Sequence, residues 1–171
     1  MPALVSTNRD EGTVFAALSV ANFFTKNPAR TSVPGYFNHQ FLVDLLYLLQ
    51  VPQASDPHFV NYIKRHNFKP DEFGTLNGIL PGMAAVLGRY MIKEPVYNFA
   101  RLNSERAPTY LMSFEYEGEF SFFNFLVPED GRNVIKHGVA HSDELLYLFF
   151  TGVFNLGKHS HPTAIITVLL Q

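Results

Sequence analysis

Apolar residues Ala3, Leu4 and Val5 open the chain and read as the tail of a short strand, followed by a turn-like polar stretch over residues 6–10. Residues 14–24 then turn apolar, with Phe15, Leu18, Ala21 and Phe23 spaced as on a helix. Asn27-Pro28 and Pro34-Gly35 mark loops. Residues 39–51 are apolar at nearly every position and predict a second helix, ended by Pro52. Residues 53–75 are dominated by Pro, Asp, Asn and basic types, which predicts a surface excursion with a short helix at 58–66. Helical spacing returns over residues 81–103, where Met83, Val86, Leu87, Tyr90 and Met91 share a side and Pro95 is expected to kink or divide the helix. Residues 109–116 alternate and are rich in β-branched and aromatic types, the best strand in the sequence. Residues 120–136 read as loop and residues 143–150 as a short apolar helix or turn. A strand, a long helical excursion and a second strand is the order of an α/β protein.

Composition narrows this picture. With 171 residues and 47% hydrophobic content the chain can bury a real core, so it is not a disordered segment. No repeat or linker divides it, and residues 1–171 are treated as one unit. The net charge is -2 and the 13 Lys and Arg residues are scattered, which argues against nucleic acid as a partner. Without cysteine there is neither a disulfide framework nor a thiolate metal site. The N-terminal residues show no basic-then-apolar leader pattern. The longest apolar run, residues 41–49, contains Asp44 and falls short of the roughly 20 residues that cross a bilayer. Compartment and oligomeric state stay open. The 17 Phe and 8 Tyr fit an aromatic-lined pocket or a large core, and the core is the simpler reading.

Two stretches carry residue types suited to chemistry. Thr7-Asn8-Arg9-Asp10-Glu11-Gly12 places an acidic pair on the loop leaving a strand, where reactive groups of an α/β sheet collect. From residue types alone the plainer reading is that Asp10 and Glu11 cap the next helix, since negative charge suits a helix N-terminus. In residues 138–149, His141 is flanked by small residues on a loop, free to turn its ring to a cleft and to act as base and then acid. A solvated or structural histidine is the competing reading. His137 and His141 stand four apart, as metal ligands on a helix do, but Gly138 speaks for a loop and no convincing third ligand accompanies them, so no metal or cofactor is expected. His159 and His161 could chelate a metal adventitiously, and Phe23, Phe24 and Phe41 could line a pocket, although tail and core are the plainer accounts. Glu115, Glu117 and Glu119 alternate with aromatics as one solvated strand face would.

Together the two stretches resemble the type-B carboxylesterase and cholinesterase family. There an Asn-x-Asp-Glu-Gly segment supplies the acid of a Ser-His-Glu triad, and a Gly-Val-x-His-x-x-Glu-hydrophobic segment supplies the base. Residues 8–12 resemble the first and residues 138–145 the second, in the family's order and 130 positions apart from acid to base. The resemblance spans about residues 3–150. It implies a partial α/β-hydrolase fold, made of the C-terminal strands of the central sheet with a helical excursion between them. It also implies Glu11 as acid, His141 as general base, Glu144 as a carboxylate supporting the base, and a small-molecule ester as substrate. The departures are equally specific. None of the nine serines lies in a Gly-x-Ser-x-Gly elbow, and the Gly-Gly-type oxyanion loop is absent too. Residues 153–171 do not follow the family's pattern and are expected to be an unrelated tail. The expectation is therefore the C-terminal portion of a serine esterase, inactive alone. The alternatives are a non-catalytic binding or adhesion module of the same fold, or a fragment that does not fold.

Overall fold

A computed structural model describes residues 1–118, 120–149 and 166–170. Glu119, His159 and His161 lie outside the described residues. The first strand, β1 (Ala3–Asn8), extends through the stretch expected to turn, and pairs in parallel with β2 (Thr109–Phe114), from Ala3 opposite Thr109 to Asn8 opposite Phe114. Parallel strands need a long crossover, and the helical excursion between them supplies it. A third strand, β3 (Ile166–Leu170), lies antiparallel on the far side of β2, giving the order β1-β2-β3. The strand thus falls within the stretch expected to be an unrelated tail.

The crossover begins with α1 (Gly12–Ser19), which runs into a π-helical turn at Val20–Phe24. The short helix α2 (Pro28–Thr31) leads to α3 (Gln40–Leu48), whose buried residues Phe41, Leu42, Leu45 and Leu46 form one stripe at helical spacing. In α4 (Pro57–Asn67) the start is set by Asp56, whose carboxylate accepts the His58 N–H at 2.9 Å, with Pro57 in the first turn. Lys64, Arg65 and His66 close α4 where positive charge suits the dipole.

Next comes α5 (Leu76–Gly88), which starts earlier than its apolar spacing suggests because Thr75 caps it by accepting the Gly78 N–H at 3.1 Å. Pro81, read from sequence as a start, lies inside this helix. A second π-helical turn, Arg89–Lys93, joins α5 to α6 (Glu94–Ser104), and Pro95 sits in the first turn of α6. The division expected at Pro95 takes this form: an N–H missing from the ladder follows directly on a widened turn.

The core lies between α1, α3, α4 and α5, where Phe41, Leu42, Leu46, Ile63, Ile79 and Met83 are fully buried. Phe41 meets Phe68 edge-on with ring centroids 5.5 Å apart, and Phe24 is buried in the same cluster with Phe23 packed against it, so these aromatics serve packing. After β2, the stretch expected as loop holds two single-turn helices, α7 (Phe123–Leu126) and α8 (Glu129–Arg132), before α9 (Asp143–Leu148). Residues 115–118 leave the strand, so Glu115 and Glu117 do not sit on a strand face, and Glu117 pairs with Arg9 at 2.7 Å. Among the described residues no helix is long and apolar enough to cross a membrane.

Candidate active site

The loops leaving β1 and β2 meet beyond the carboxyl ends of the paired strands. In parallel pairing both strands end at one edge, so residues far apart in sequence converge there. Glu11 leaves β1 and stands at the start of α1, yet its side chain makes no capping bond. The carboxylate is almost completely buried, with one oxygen accepting the Asn8 N–H at 2.6 Å. Its other oxygen is 2.6 Å from Nδ1 of His141.

A carboxylate can only accept, so Nδ1 of His141 carries the donated proton and the Nε2 lone pair is left available in the neutral ring. The imidazole is about one-third exposed, while its partner is hidden. The hydrogen bond to Glu11 raises the His141 pKa above its ordinary 6.5, against the opposing effect of partial burial. Phe15 of α1 packs against the ring with centroids 5.6 Å apart.

Among the described residues Glu144, on α9, makes no hydrogen bond to His141, although its charge favours the imidazolium. It accepts from the side-chain amide of Asn8 at 2.6 Å and lies 3.5 Å from the Ser6 hydroxyl. The same amide donates to the Ala140 carbonyl at 2.5 Å. Asn8 therefore ties the acid loop to the base loop, since its backbone binds Glu11 and its side chain binds residues on either side of His141. Its own Oδ1 is buried and finds no partner among the described residues. Flipping the amide would aim that oxygen at two acceptors, which fixes the orientation.

Reading the residues one by one missed further parts of this support. Asp10 is no helix cap: its carboxylate accepts the Val139 N–H at 2.9 Å and pairs with Arg9 at 2.8 Å. Asp143 is buried, and its oxygens take the Ala140 N–H at 2.9 Å, the Phe122 N–H at 2.8 Å and the Ser121 hydroxyl at 2.9 Å. Burial raises its pKa despite those bonds. Ser142, directly after the histidine, has a left-handed backbone at φ 71°. Such strain in a non-glycine residue concentrates at functional sites. The available signal was the full motif rather than any single residue, because Asn8, Asp10 and Asp143 all lie within the two stretches. Among the described residues no three His, Asp or Glu side chains gather as metal ligands.

The model of the carboxylesterase family matches residues 1–164. The chain belongs to that family. Among solved structures this carboxylesterase-family chain is similar to the juvenile hormone esterase of Manduca sexta, crystallised with OTFP covalently attached. The TM-score is 0.54 at 21% identity, and the alignment covers 93% of this chain and 27% of that one. The likeness shows a partial α/β-hydrolase fold. The carboxylesterase-family chain spans about a quarter of the esterase it matches. Among curated proteins none matches.

Proposed function

We propose that this chain supplies the acid and base of a Ser-His-Glu triad in a carboxylic-ester hydrolase, while the serine comes from sequence outside these 171 residues. The observation that carries the reading is the 2.6 Å bond between buried Glu11 and Nδ1 of His141. It supports the catalytic reading over a non-catalytic adhesion module, which has no chemical use for a basic imidazole backed by a buried carboxylate.

In such a triad Glu11 holds the tautomer and stabilises the imidazolium. His141 Nε2 takes the serine proton as the oxygen attacks the ester carbonyl, then returns it to the departing alcohol. A water molecule repeats the cycle on the acyl-enzyme and releases the carboxylic acid. Glu144 acts at one remove, by fixing the Asn8 amide that holds the Ala140 carbonyl. Triad members act as a unit, so base and acid without nucleophile give no acyl-enzyme.

Two measurements test this. The purified chain should fold cooperatively and show no burst and no turnover with a p-nitrophenyl ester. Sequencing the DNA immediately upstream should reveal a Gly-x-Ser-x-Gly segment in frame, and the joined product should hydrolyse the ester in a His141-dependent way. Turnover by the 171-residue chain alone, or a joined product whose activity survives His141→Ala, would overturn the reading.

A further inference from the structure

His141 stands in a tight turn that is closed twice over. The Asp143 N–H donates to the Ala140 carbonyl at 3.1 Å, and the Ala140 N–H donates to Oδ2 of Asp143 at 2.9 Å. These bonds bracket His141 and Ser142, and the Ser142 backbone, at φ 71° and ψ 4°, is that of the third residue of a type II turn. His141 therefore occupies the second position, at the corner. The other oxygen of Asp143 reaches a different part of the chain. Oδ1 accepts the Ser121 hydroxyl at 2.9 Å and the Phe122 N–H at 2.8 Å, both beyond the end of β2. Ser121 is itself buried, and its hydroxyl oxygen accepts the Phe123 N–H at 3.1 Å, at the start of α7. One carboxylate thus closes the histidine turn with one oxygen and moors it to the exit of β2 with the other.

We propose that Asp143 is a positioning residue for His141, fixing the turn where Nδ1 meets Glu11. It holds the base loop from the β2 side, as Asn8 and Asp10 hold it from the β1 side. Burying a carboxylate is costly, and among the described residues no cation pairs with Asp143. The residue type follows from what its two oxygens do. Each accepts a backbone N–H, Ala140 at one end and Phe122 at the other. An amide carries NH₂ at one end and sets it against one of those N–H groups in either orientation, whereas a carboxylate accepts at both. Left-handed Ser142 belongs to the same device, because the turn requires a positive φ there and the paired bonds hold it. The bearing on catalysis rests on the reading of His141 as general base.

NMR of the 171-residue chain tests this through the His141 Nδ1 proton, which reports the bond to Glu11 directly. The ring pKa is a poorer probe, because the Asp143 charge itself favours the imidazolium. In Asp143→Asn the resonance should move to that of an unpaired imidazole, with a cooperative urea melt as the check on folding. Ser142→Val leaves the carboxylate in place but strains a β-branched residue at φ 71°, so the turn should open and the resonance be lost in the same way. Ser142→Gly suits that backbone and should keep the resonance. Ser121→Ala removes one donor from Oδ1 but leaves both N–H groups in place, so it should lower the urea midpoint and keep the resonance. A folded Asp143→Asn chain with the parental resonance would overturn the proposal. If that variant does not fold, the parental resonance in Ser142→Val overturns it instead. Loss of the resonance in Ser121→Ala also overturns it, since the contact then follows overall stability. None of these readouts needs ester turnover, so failure here is separate from failure of the His141-dependent activity expected of the joined product.

Discussion

Asp10 and Val139 grip each other twice: the Asp10 N–H donates to the Val139 carbonyl at 2.9 Å, and the Val139 N–H donates to the Asp10 carboxylate at 2.9 Å. This reciprocal pair lies one residue from Glu11 on one loop and two residues from His141 on the other. It sets the spacing of the two loops before the acid and base side chains themselves meet.

Gly138 makes the grip possible. Its backbone is left-handed at φ 59°, and an added Cβ would collide with the Asp10 carboxylate. Gly138→Ala should therefore cost about 1–3 kcal/mol from backbone strain and displacement of Asp10. Urea denaturation measures the loss. The Nδ1 proton resonance of His141 should move toward that of an unpaired imidazole as the loops part, and an unchanged midpoint with an unchanged resonance would show that the grip is dispensable.

The pH dependence of stability should report the Glu11 bond. Because the folded-state pKa of His141 is raised above 6.5, the folded chain holds this proton more tightly than the unfolded chain. That contribution is fully present below pH 6.5 and is lost as pH rises through the folded value. In Glu11→Gln the neutral amide no longer favours imidazolium, so the His141 pKa should fall and this decline in melting temperature should flatten. Asp143 also has a raised pKa, so its own contribution is present below pH 3.8 and is lost as pH rises through its folded value. Glu11→Gln leaves Asp143 in place, and the difference between the two proteins isolates the His141 part. Proton NMR titration of His141 in both proteins is the direct check.

The α/β order and the strand–helix–strand division were legible because the near-continuous apolar run of α3 and the aromatic residues Tyr110 and Phe114 within the alternating β2 are local signals. The meeting of Glu11 and His141 was legible only through two whole motifs, since Glu11 considered alone reads first as a helix cap. Extension of β1 to Asn8 was hidden by Ser6, Thr7 and Asn8, polar residues that turn propensity favours but that pairing with β2 holds extended. The true start of α5 was hidden by Pro81, whose breaking tendency is overridden by the Thr75 cap and the burial of Ile79 and Leu80. The grip of Asp10 on Val139 had no local signal at all, because it joins residues 129 positions apart.

Asn8 offers a graded test of how the acid and base loops are joined. Asn8→Ala removes one of two donors to the Ala140 carbonyl, which keeps the Asp143 N–H at 3.1 Å, and the close donor to the Glu144 carboxylate, at about 1–3 kcal/mol. Asn8→Asp should be worse near neutral pH, because it sets a second carboxylate where an amide donor now sits 2.6 Å from Glu144. Like charges so close raise the pKa of the pair, so the folded state gains a proton. The variant should recover stability as pH falls through that raised value, whereas Asn8→Ala should not. Denaturant midpoints over a pH series distinguish the two.

Gly12 and Phe41 separate damage to the site from damage to the core. Gly12 is where α1 crosses α5 backbone to backbone, and an added Cβ would overlap the Ala84 carbonyl. Gly12→Ala should cost on the order of 3 kcal/mol, because both contacting groups are main chain and neither can turn aside. Glu11 directly precedes it, so the displacement should also shift the His141 Nδ1 resonance. Phe41→Ala, deep in the helical core and fully buried, should cost about 3–5 kcal/mol through the cavity it leaves. Its folded state should nevertheless keep the parental resonance, because Phe41 packs with Phe37, Phe68 and Phe73 rather than against the acid and base loops. Equal resonance shifts in the two variants would mean that the Glu11–His141 bond follows overall stability and is not held locally by the crossing of α1 and α5.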